Sequence, residues 1–510
     1  MPELRTTWEK MTNVAIAGLA RQELPVIEGD DAIAQLCAGI MATGEKPAQL
    51  LSIAGALQLY QTVGARPPHD STPAPGPAAV ETKSYCSFQV MRLLEIALTK
   101  YDFYEILPEI TSQIQQNNLV VMPNMLPVIL NAMVKSPERL ETLLPIIGER
   151  GIWLARQNPA WQKILLSVSE EFCREKWDTG TPAERTAALQ YLRGIDPAGA
   201  RALLEEVMRA EAPDTLNAFI WALAINLSLD DEPLLESLLD DKRKSVRRMT
   251  ASVLDRLPGS AYQQRMIERL NRFIKITPAQ PATLIPPRLK QDVKIEVITP
   301  TEYDKTWSRD AIEFKKDCYD QSDCVRAMIM AAPLSYWENL GQCGPAELIS
   351  CLDSESLNYV VLEAWYMAAH MQMNATWMEE IIRYGDKGTI DQSLSYYFQD
   401  FSSEEREKMI ISLLKYSPGH PENYYTPVLW DQEELWSKEL SEVVYEKQKA
   451  LKDSDANLYY RMAYYMHPDY LEYVRKQYKK DYPDGHSFDY LIYGALDFRE
   501  EMYRTFEEMK

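Results

Sequence analysis

The stretch from residue 240 to residue 260 has the pattern of one helix in a stack of helices. Its apolar residues recur at helical spacing and form a single stripe, whereas its basic side chains lie in other directions. The stripe consists of Val246, Met249, Val253, Leu254 and Leu257. The apolar segment 233–239 precedes it and is too short to be stable as an isolated helix. Together they predict a helical repeat whose apolar faces are covered by neighbouring helices.

Helix-start signals recur along the chain at intervals of about one helix length. Thr181, Pro182 and Glu184 combine a cap, a first-turn proline and a capping-box glutamate. Alternation of period two is almost absent, and the one β-like run is 293–298. The sequence therefore predicts an all-α protein, a HEAT-like α-solenoid of antiparallel helix pairs arranged in two helical arrays.

Two proline-rich segments mark boundaries, and 23 of the 29 tyrosines follow residue 300. We predict an N-terminal helical segment at 1–64, a Pro-rich loop at 65–82, HEAT-like helical repeats at 83–276, a Pro-rich linker at 277–300 and an acidic, Tyr-rich helical domain at 301–510.

The charge of the chain argues against two classes of partner. The 510 residues carry 54 basic and 75 acidic side chains, a net charge of −21. Residues 276–510 hold 25 of the basic and 41 of the acidic ones. Such a surface repels nucleic acid and anionic membranes, which argues against broad binding to either. Seven cysteines are too few for a disulfide framework, and the first residues lack a signal-peptide pattern, so we expect a cytoplasmic protein.

Several motifs resemble those of an uncharacterised bacterial family of HEAT-like helical repeat proteins. They are the 148–155 segment with Asn158-Pro159 and Trp161, the blocks 192–206 and 229–265, and the segments 307–310 and 333–338. The family pattern has glycine where this chain has Ala311, and the region after residue 400 does not match it. The resemblance implies an adaptor whose neighbours are MoxR-type AAA+ ATPases, SWIM zinc-finger proteins and von Willebrand A-domain proteins.

The 148–161 motif predicts a structural corner. Arg150 would satisfy helix-end carbonyls or a carboxylate, while Trp153 and Trp161 would pack between repeats. The alternative is a partner-binding corner. The residues of the motif are Glu149, Arg150, Trp153, Asn158, Pro159 and Trp161.

A basic stripe on two successive predicted helices is the main candidate binding site. Its residues are Lys244, Arg247, Arg248, Arg265, Arg269, Arg272 and Lys275. A continuous cationic ridge would capture an acidic peptide, a phosphorylated segment or a nucleic-acid backbone. Alternatively, the arginines form a solvated face that pairs with Asp240, Asp241 or Asp255, or with the acidic second half.

No pattern indicates catalysis, a cofactor or a metal. The spacing of Cys318, Cys324, Cys343 and Cys351 lacks the paired thiolates of a zinc site, and His370 reads as a core or interface residue. One alternative is an all-helical toroid hydrolase of glycosidase type that uses paired carboxylates. It would draw on Glu379, Glu380, Asp400, Glu433 and Glu434 with Tyr396, Tyr397 and Trp430.

The sequence thus predicts a non-enzymatic scaffold or adaptor that binds protein partners. The toroid hydrolase and nucleic-acid binding through the basic stripe are the alternatives. Tyrosines 459, 460, 464 and 465 should pack between helices with their hydroxyls reaching solvent.

Overall fold

The computed structural model describes residues 2–27, 32–64, 75–278, 283–284, 287–288, 293–314, 321–352, 356–384, 400–416, 429, 432, 434–450 and 456–509. The chain divides into two compact units, Met1–Pro77 and Ala78–Lys510. This boundary lies inside the proline-rich segment 65–82, whereas the proline-rich segment 277–300 lies within the second unit.

The first unit contains three helices around a small apolar core. They are α1 (Pro2–Ala17), α2 (Ala32–Met41) and α3 (Lys46–Gly64). Met11, Ile33, Cys37, Ile53 and Leu57 are among the buried residues of its core. Each helix supplies part of this core, so the unit is held by burial of apolar side chains.

The second unit is a succession of short helices. Before residue 275 they are α4 (Phe88–Thr99), α5 (Leu107–Gln116), α6 (Leu126–Lys135), α7 (Leu140–Leu143), α8 (Gly148–Gln157), α9 (Glu170–Thr179), α10 (Pro182–Ile195), α11 (Pro197–Val207), α12 (Pro213–Ala222), α13 (Glu232–Leu238), α14 (Lys244–Leu254) and α15 (Ala261–Leu270). After residue 320 they are α16 (Ser322–Ala331), α17 (Leu334–Gly341), α18 (Pro345–Ser350), α19 (Ser356–Met371), α20 (Ala375–Tyr384), α21 (Ser403–Tyr416), α22 (Lys438–Ala450), α23 (Ala456–Tyr465), α24 (Leu471–Asp481) and α25 (Asp489–Glu507). Short 3-10 helices lie at Tyr101–Ile106, Pro137–Arg139, Leu144–Ile146, Gln162–Ser167, Leu229–Asp231, Lys305–Ser308 and Pro468–Tyr470.

Strands are few and short in the part of the chain that the structure describes. β1 (Ser84–Tyr85) pairs with β2 (Leu119–Val120) in parallel. β3 (Ile274–Thr277) pairs antiparallel with β6 (Lys294–Val297), and β4 (Thr283–Leu284) pairs antiparallel with β5 (Pro287–Arg288). The β-like run 293–298 is thus a strand, and the predicted all-α helical repeat fold is confirmed.

The helix-start signals in the sequence mark real caps. The Thr181 hydroxyl accepts the Glu184 N–H at 3.3 Å, and the Glu184 carboxylate accepts the Thr181 N–H at 2.8 Å. Asp196 caps α11 by accepting the Gly199 N–H at 3.0 Å. These reciprocal bonds satisfy amides that would otherwise lack a partner, so they fix where each helix begins.

The helix predicted from 240–260 is α14, and it behaves as a repeat helix. Val246, Val253 and Leu254 are fully buried, and α14 packs on α12 and α13. The preceding apolar segment forms α13, whose Leu235 is also fully buried. Each helix covers the apolar face of the next one, which is how a helical repeat is stabilised.

A buried ion pair joins consecutive repeats and was not predicted. Arg193 and Asp231 are both fully buried, and two guanidinium nitrogens of Arg193 each lie 3.0 Å from an oxygen of Asp231. Arg201 adds a third donor to Asp231 at 2.9 Å. Arg193 also donates to the carbonyl oxygens of Leu223 and Ile225, so it ties the end of α10 to the end of α12.

The last helices of the second unit pack against its first ones. α25 contacts α4 and the 3-10 helix Tyr101–Ile106, where the rings of Phe103 and Phe498 stack with centroids 5.0 Å apart. Arg499 is fully buried and donates to both carboxylate oxygens of Glu109, at 2.7 and 2.8 Å. The second unit therefore closes on itself, a feature that the local sequence pattern did not indicate.

The C-terminal tyrosines serve this closure. The hydroxyls of Tyr460 and Tyr465 each donate to Glu105 at 2.8 Å, and the Tyr464 hydroxyl donates to the carbonyl of Asp102. The expectation that these hydroxyls reach solvent is therefore wrong. They reach polar groups near the start of the second unit, which their position along the chain could not reveal.

Candidate functional site

Helix α14 presents three cations on the side opposite its buried stripe. Lys244, Arg247 and Arg248 lie one turn apart, so they share a face of the helix. The side chains of Lys244 and Arg248 are 62% and 61% exposed. They can therefore meet a ligand without leaving a core position.

A segment from the second half of the chain lies against this face, and we call residues 303–314 the docked segment. Its Trp307 is 3% exposed and packs edge-on against Phe273, with centroids 6.1 Å apart. Arg247 donates to the Ser308 carbonyl at 3.1 Å. The segment thus joins α14 to the end of α15.

A buried carboxylate fixes the docked segment. Asp310 is 1% exposed and lies 2.8 Å from Arg265 and 2.6 Å from Arg269. Glu236 accepts from Arg265 at 2.9 Å and from Arg309 at 3.1 Å. The cluster alternates charges of both signs, so its cations are neutralised internally.

This cluster corrects part of the predicted basic stripe. A ridge that captures a ligand needs Arg265 and Arg269 to be available, but their side chains are only 29% and 12% exposed and face Asp310. For these two arginines the alternative, pairing with the acidic second half, describes the structure. α15 ends at Leu270, so the stripe is also not one continuous helix face. Arg272 follows α15 and Lys275 lies on β3, opposite Glu296, and both are exposed.

The residue after Asp310 has a left-handed backbone. Ala311 has φ of 59°, a conformation that a residue with a Cβ adopts only at a cost. The glycine expected here from the family pattern would adopt it freely. The residue therefore reverses the chain between the buried Asp310 and the half-exposed Glu313.

Replacing Ala311 with glycine should stabilise the protein. The left-handed conformation costs an alanine about 1–2 kcal/mol, and the extra freedom of glycine in the unfolded chain offsets about 0.4–1 kcal/mol of that. We expect a gain of about 0.5–1 kcal/mol in the free energy of unfolding, measured by urea denaturation. A loss of stability on Ala311→Gly would contradict the assigned backbone conformation.

Between α14 and the docked segment lies a cavity of about 380 Å³, which we call the basic cleft. Its lining residues are Lys244, Arg247, Arg248, Tyr303, Ser308, Ala311, Ile312, Glu313 and Phe314. Lys244 lies 3.0 Å from Oε1 of Glu313, and Arg248 contacts the same oxygen. Hydrogen bonds from Arg248 and then Lys244 lower the pKa of Glu313, which keeps it ionised.

The basic cleft carries an excess of positive charge. Arg247 donates to the carbonyl oxygens of Asp241 and Lys242 at 2.7 and 3.2 Å. It acts on the Asp241 carboxylate only at a distance, without a direct ion pair among the described residues. The nearby carboxylate of Asp241 is engaged by Arg243 at 2.8 Å. Three cations therefore face the single carboxylate of Glu313 among the lining residues. Ion pairs this exposed contribute about 0–1 kcal/mol each, so a ligand can displace Glu313.

Sequence reasoning found only one side of the basic cleft. It selected Lys244, Arg247 and Arg248, and the 307–310 motif was noted without a role. It missed Tyr303, Glu313 and Phe314, which lie 49 to 60 positions after the end of α14. The available signal was the acidic second half, which the pairing alternative invoked in general terms.

A family model described as "Family of unknown function (DUF5691)" matches residues 10–506. The chain belongs to this family. The match confirms the resemblance to an uncharacterised family, and it includes both α14 and the docked segment. It also extends past residue 400, so the expectation that this region departs from the family is wrong. No curated protein and no solved structure matched the chain.

The 148–161 motif of this DUF5691 member makes mainly structural contacts. The Glu149 N–H donates to Glu81 at 2.9 Å, and the Trp161 ring N–H donates to Asn131 at 2.9 Å. Asn158 ends α8 and accepts the Ala160 N–H at 3.0 Å across Pro159. The prediction that Arg150 satisfies helix-end carbonyls or a carboxylate is wrong, because Arg150 is exposed and makes no hydrogen bond or ion pair among the described residues. Trp153 is half-buried, whereas Trp161 packs on the core.

The carboxylates of the hydrolase alternative are engaged where the structure describes them. Arg383 pairs with Glu379 at 2.6 Å and with Glu380 at 3.1 Å. Glu434 pairs with Arg406 at 2.9 Å, whereas Glu433, Tyr396, Tyr397 and Trp430 lie outside the described residues.

His370 is buried, and its Nε2 lies 2.8 Å from Asp400. Burial lowers the pKa of His370. Cys318 lies outside the described residues, among which no group of three or more potential metal ligands occurs. Within the same residues, every helix is too short or too polar to cross a bilayer.

A second cavity, of about 400 Å³, lies where the second unit closes on itself. Its wall includes Glu105, which already accepts from Tyr460 and Tyr465 and lies 3.4 Å from Arg461. Arg139 lies over the ring of Tyr104, 4.3 Å from its centroid. Its described lining has three carboxylates and two arginines, so it lacks the net positive charge of the basic cleft.

Proposed function

We propose that the protein is a non-enzymatic scaffold or adaptor that captures an acidic segment of a protein partner in the basic cleft. The observation that carries this proposal is the local reversal of charge. The chain as a whole has 75 acidic and 54 basic side chains, but the described residues that line the cleft include three cations and one carboxylate. A positive site in a negative molecule steers an acidic partner to one place.

The helical repeat fold supports a binding role. Stacked short helices present side chains from successive repeats on one surface, and such arrays commonly act as platforms for partners. Here α14 supplies the cations and the docked segment supplies the apolar wall of Tyr303, Ile312 and Phe314. An acidic residue flanked by an apolar one would satisfy both sides of the cleft.

The sequence resemblance suggests the class of partner. We propose a MoxR-type AAA+ ATPase or a von Willebrand A-domain protein as the first candidates, and the cytoplasm as the site of action. The described cysteines are free thiols, which suits a reducing compartment. In the described part of the chain, Lys244 and Arg248 pair with one carboxylate between them, which leaves positive charge for such a partner.

Charge reversal in the basic cleft should abolish partner capture. We expect Lys244→Glu/Arg248→Glu to reduce recovery of the partner at least tenfold in affinity purification with quantitative mass spectrometry. The matched control is Lys408→Glu/Lys476→Glu, because both lysines are exposed and ion-paired like Lys244. This control changes the net charge equally and should retain the partner. If the cleft variant recovers as much partner as the wild type does, the cleft is not the docking site.

A further inference from the structure

We infer that the basic cleft is a phosphoryl site, and that Glu313 occupies it as an internal stand-in for a phosphoserine or phosphothreonine of the partner. This inference rests on the proposed function, because it names the acidic group that the partner supplies. Its starting point is geometric: Lys244 and Arg248 meet on one oxygen of Glu313. Two cations that converge on one oxygen already have the arrangement that a phosphoryl oxygen needs.

The count of charges favours a dianion over a carboxylate. Among the described lining residues, the three cations of the cleft exceed the single charge of Glu313 by two. A phosphoryl group carries about −1.5 to −2 at pH 7 and three acceptor oxygens. When Glu313 swings out, a phosphoryl group would leave an excess of about one positive charge, whereas an aspartate or glutamate of the partner would leave an excess of two.

The donors are also numerous enough for three acceptor oxygens. Lysine offers three N–H donors and each arginine offers five. Among the described residues, Lys244 and Arg248 form ion pairs with Glu313 alone. The partly exposed Glu313 contributes little to stability, so its release does not unfold the docked segment. Asp310 holds that segment separately.

The position of the other cations favours one phosphoryl group over a nucleic-acid backbone. A polyanion is bound by a row of available cations along its length. The basic stripe is interrupted, because Arg265 and Arg269 are neutralised by Asp310. The cleft is instead a local site with apolar walls from Tyr303, Ile312 and Phe314. These walls suit the residues that flank a phosphorylated side chain.

The test uses the full chain and three fluorescent degenerate nonapeptide libraries that differ only in a fixed central phosphoserine, aspartate or serine. Binding is followed by fluorescence anisotropy at low and moderate salt. We expect the phosphoserine library to bind at least tenfold more tightly than the aspartate library and the serine library to bind weakest. Lys244→Glu/Arg248→Glu should remove this preference, and Lys408→Glu/Lys476→Glu should keep it.

The variant Glu313→Gln tests whether Glu313 competes with the phosphoryl group for the basic cleft. Because glutamine keeps the shape but removes the charge, the variant should bind the phosphoserine library at least threefold more tightly than the wild type does. Unchanged or weaker binding by a variant that circular dichroism shows to be folded would overturn the role of Glu313.

The remaining outcomes distinguish the two proposals. Equal binding of the phosphoserine and aspartate libraries, lost in the cleft variant, would overturn the phosphoryl site and leave the capture of acidic partners standing. If neither charged library binds better than serine, both proposals fail. If a single-stranded oligonucleotide binds more tightly than the phosphoserine library, and the cleft variant loses this binding, the ligand of the cleft is a nucleic acid and not a phosphoprotein.

Discussion

Glu109→Ala is expected to lower the free energy of unfolding of the second unit by about 3–5 kcal/mol, the cost of leaving one partner of a buried ion pair alone. Arg499 is fully buried and donates to both oxygens of Glu109. The Tyr503 hydroxyl donates to the same carboxylate, so the substitution strands a cation and a hydroxyl together. Urea denaturation followed by tryptophan fluorescence suits this measurement, since ten of the eleven tryptophans follow residue 78.

An exposed ion pair at the same junction provides the matched control. Arg92 on α4 pairs with Glu501 on α25, and their side chains are 54% and 39% exposed. Arg92→Ala should cost no more than about 1 kcal/mol, because water replaces the lost partner. If Glu109→Ala costs as little as Arg92→Ala, the closure of the second unit does not depend on its buried charge.

A double substitution distinguishes the loss of the ion pair itself from the cost of leaving one buried charge without a partner. Glu109→Leu combined with Arg499→Met removes both charges and should recover part of the stability lost in Glu109→Ala, because buried ion pairs are often replaceable by apolar residues. Recovery should be incomplete, since Arg499 also donates to the carbonyl oxygens of Ala463 and Met466. These carbonyls at the end of α23 would lose their partner.

The helices could be predicted from the sequence because their causes are local. The capping box of Thr181 and Glu184 and the apolar stripe of α14 involve residues within a few positions of each other. Local hydrogen bonds and periodic burial then determine the same helix starts and buried faces in the structure. Helical arrays rely on such contacts, which explains why the fold class was predictable.

The closure and half of the site could not be predicted, because their causes are distant in sequence. Arg499 meets Glu109 across 390 positions, and Arg248 meets Glu313 across 65. A charge pattern shows which side chains need an ion-pair partner, but it does not identify the residue that supplies the opposite charge. Arg265 and Arg269 looked identical to Arg248 in the stripe, yet Asp310 neutralises the first two. The sequence does not show that Asp310 is buried. That burial makes Arg265 and Arg269 structural, whereas Arg248 stays available to a ligand.

That separation gives the second large prediction, Asp310→Asn. Asparagine keeps the shape but removes the charge that faces Arg265 and Arg269. Breaking a buried ion pair costs about 3–5 kcal/mol; we expect about 2–4 kcal/mol here, because the two arginines keep some access to solvent. Hydrogen exchange of residues 304–314 should rise, since Trp307 and Ile312 donate their backbone N–H groups within this segment.

The same substitution should also weaken capture in the basic cleft, although Asp310 is not among its lining residues. Releasing the docked segment removes the apolar wall and the carbonyl that orients Arg247. Asp240→Asn is the control, because Asp240 pairs with Arg309 but is 65% exposed, and it should change neither hydrogen exchange nor binding. Normal exchange protection in Asp310→Asn would mean that apolar packing of Trp307 alone holds the segment. The cleft would then be built by burial of one aromatic ring rather than by charge.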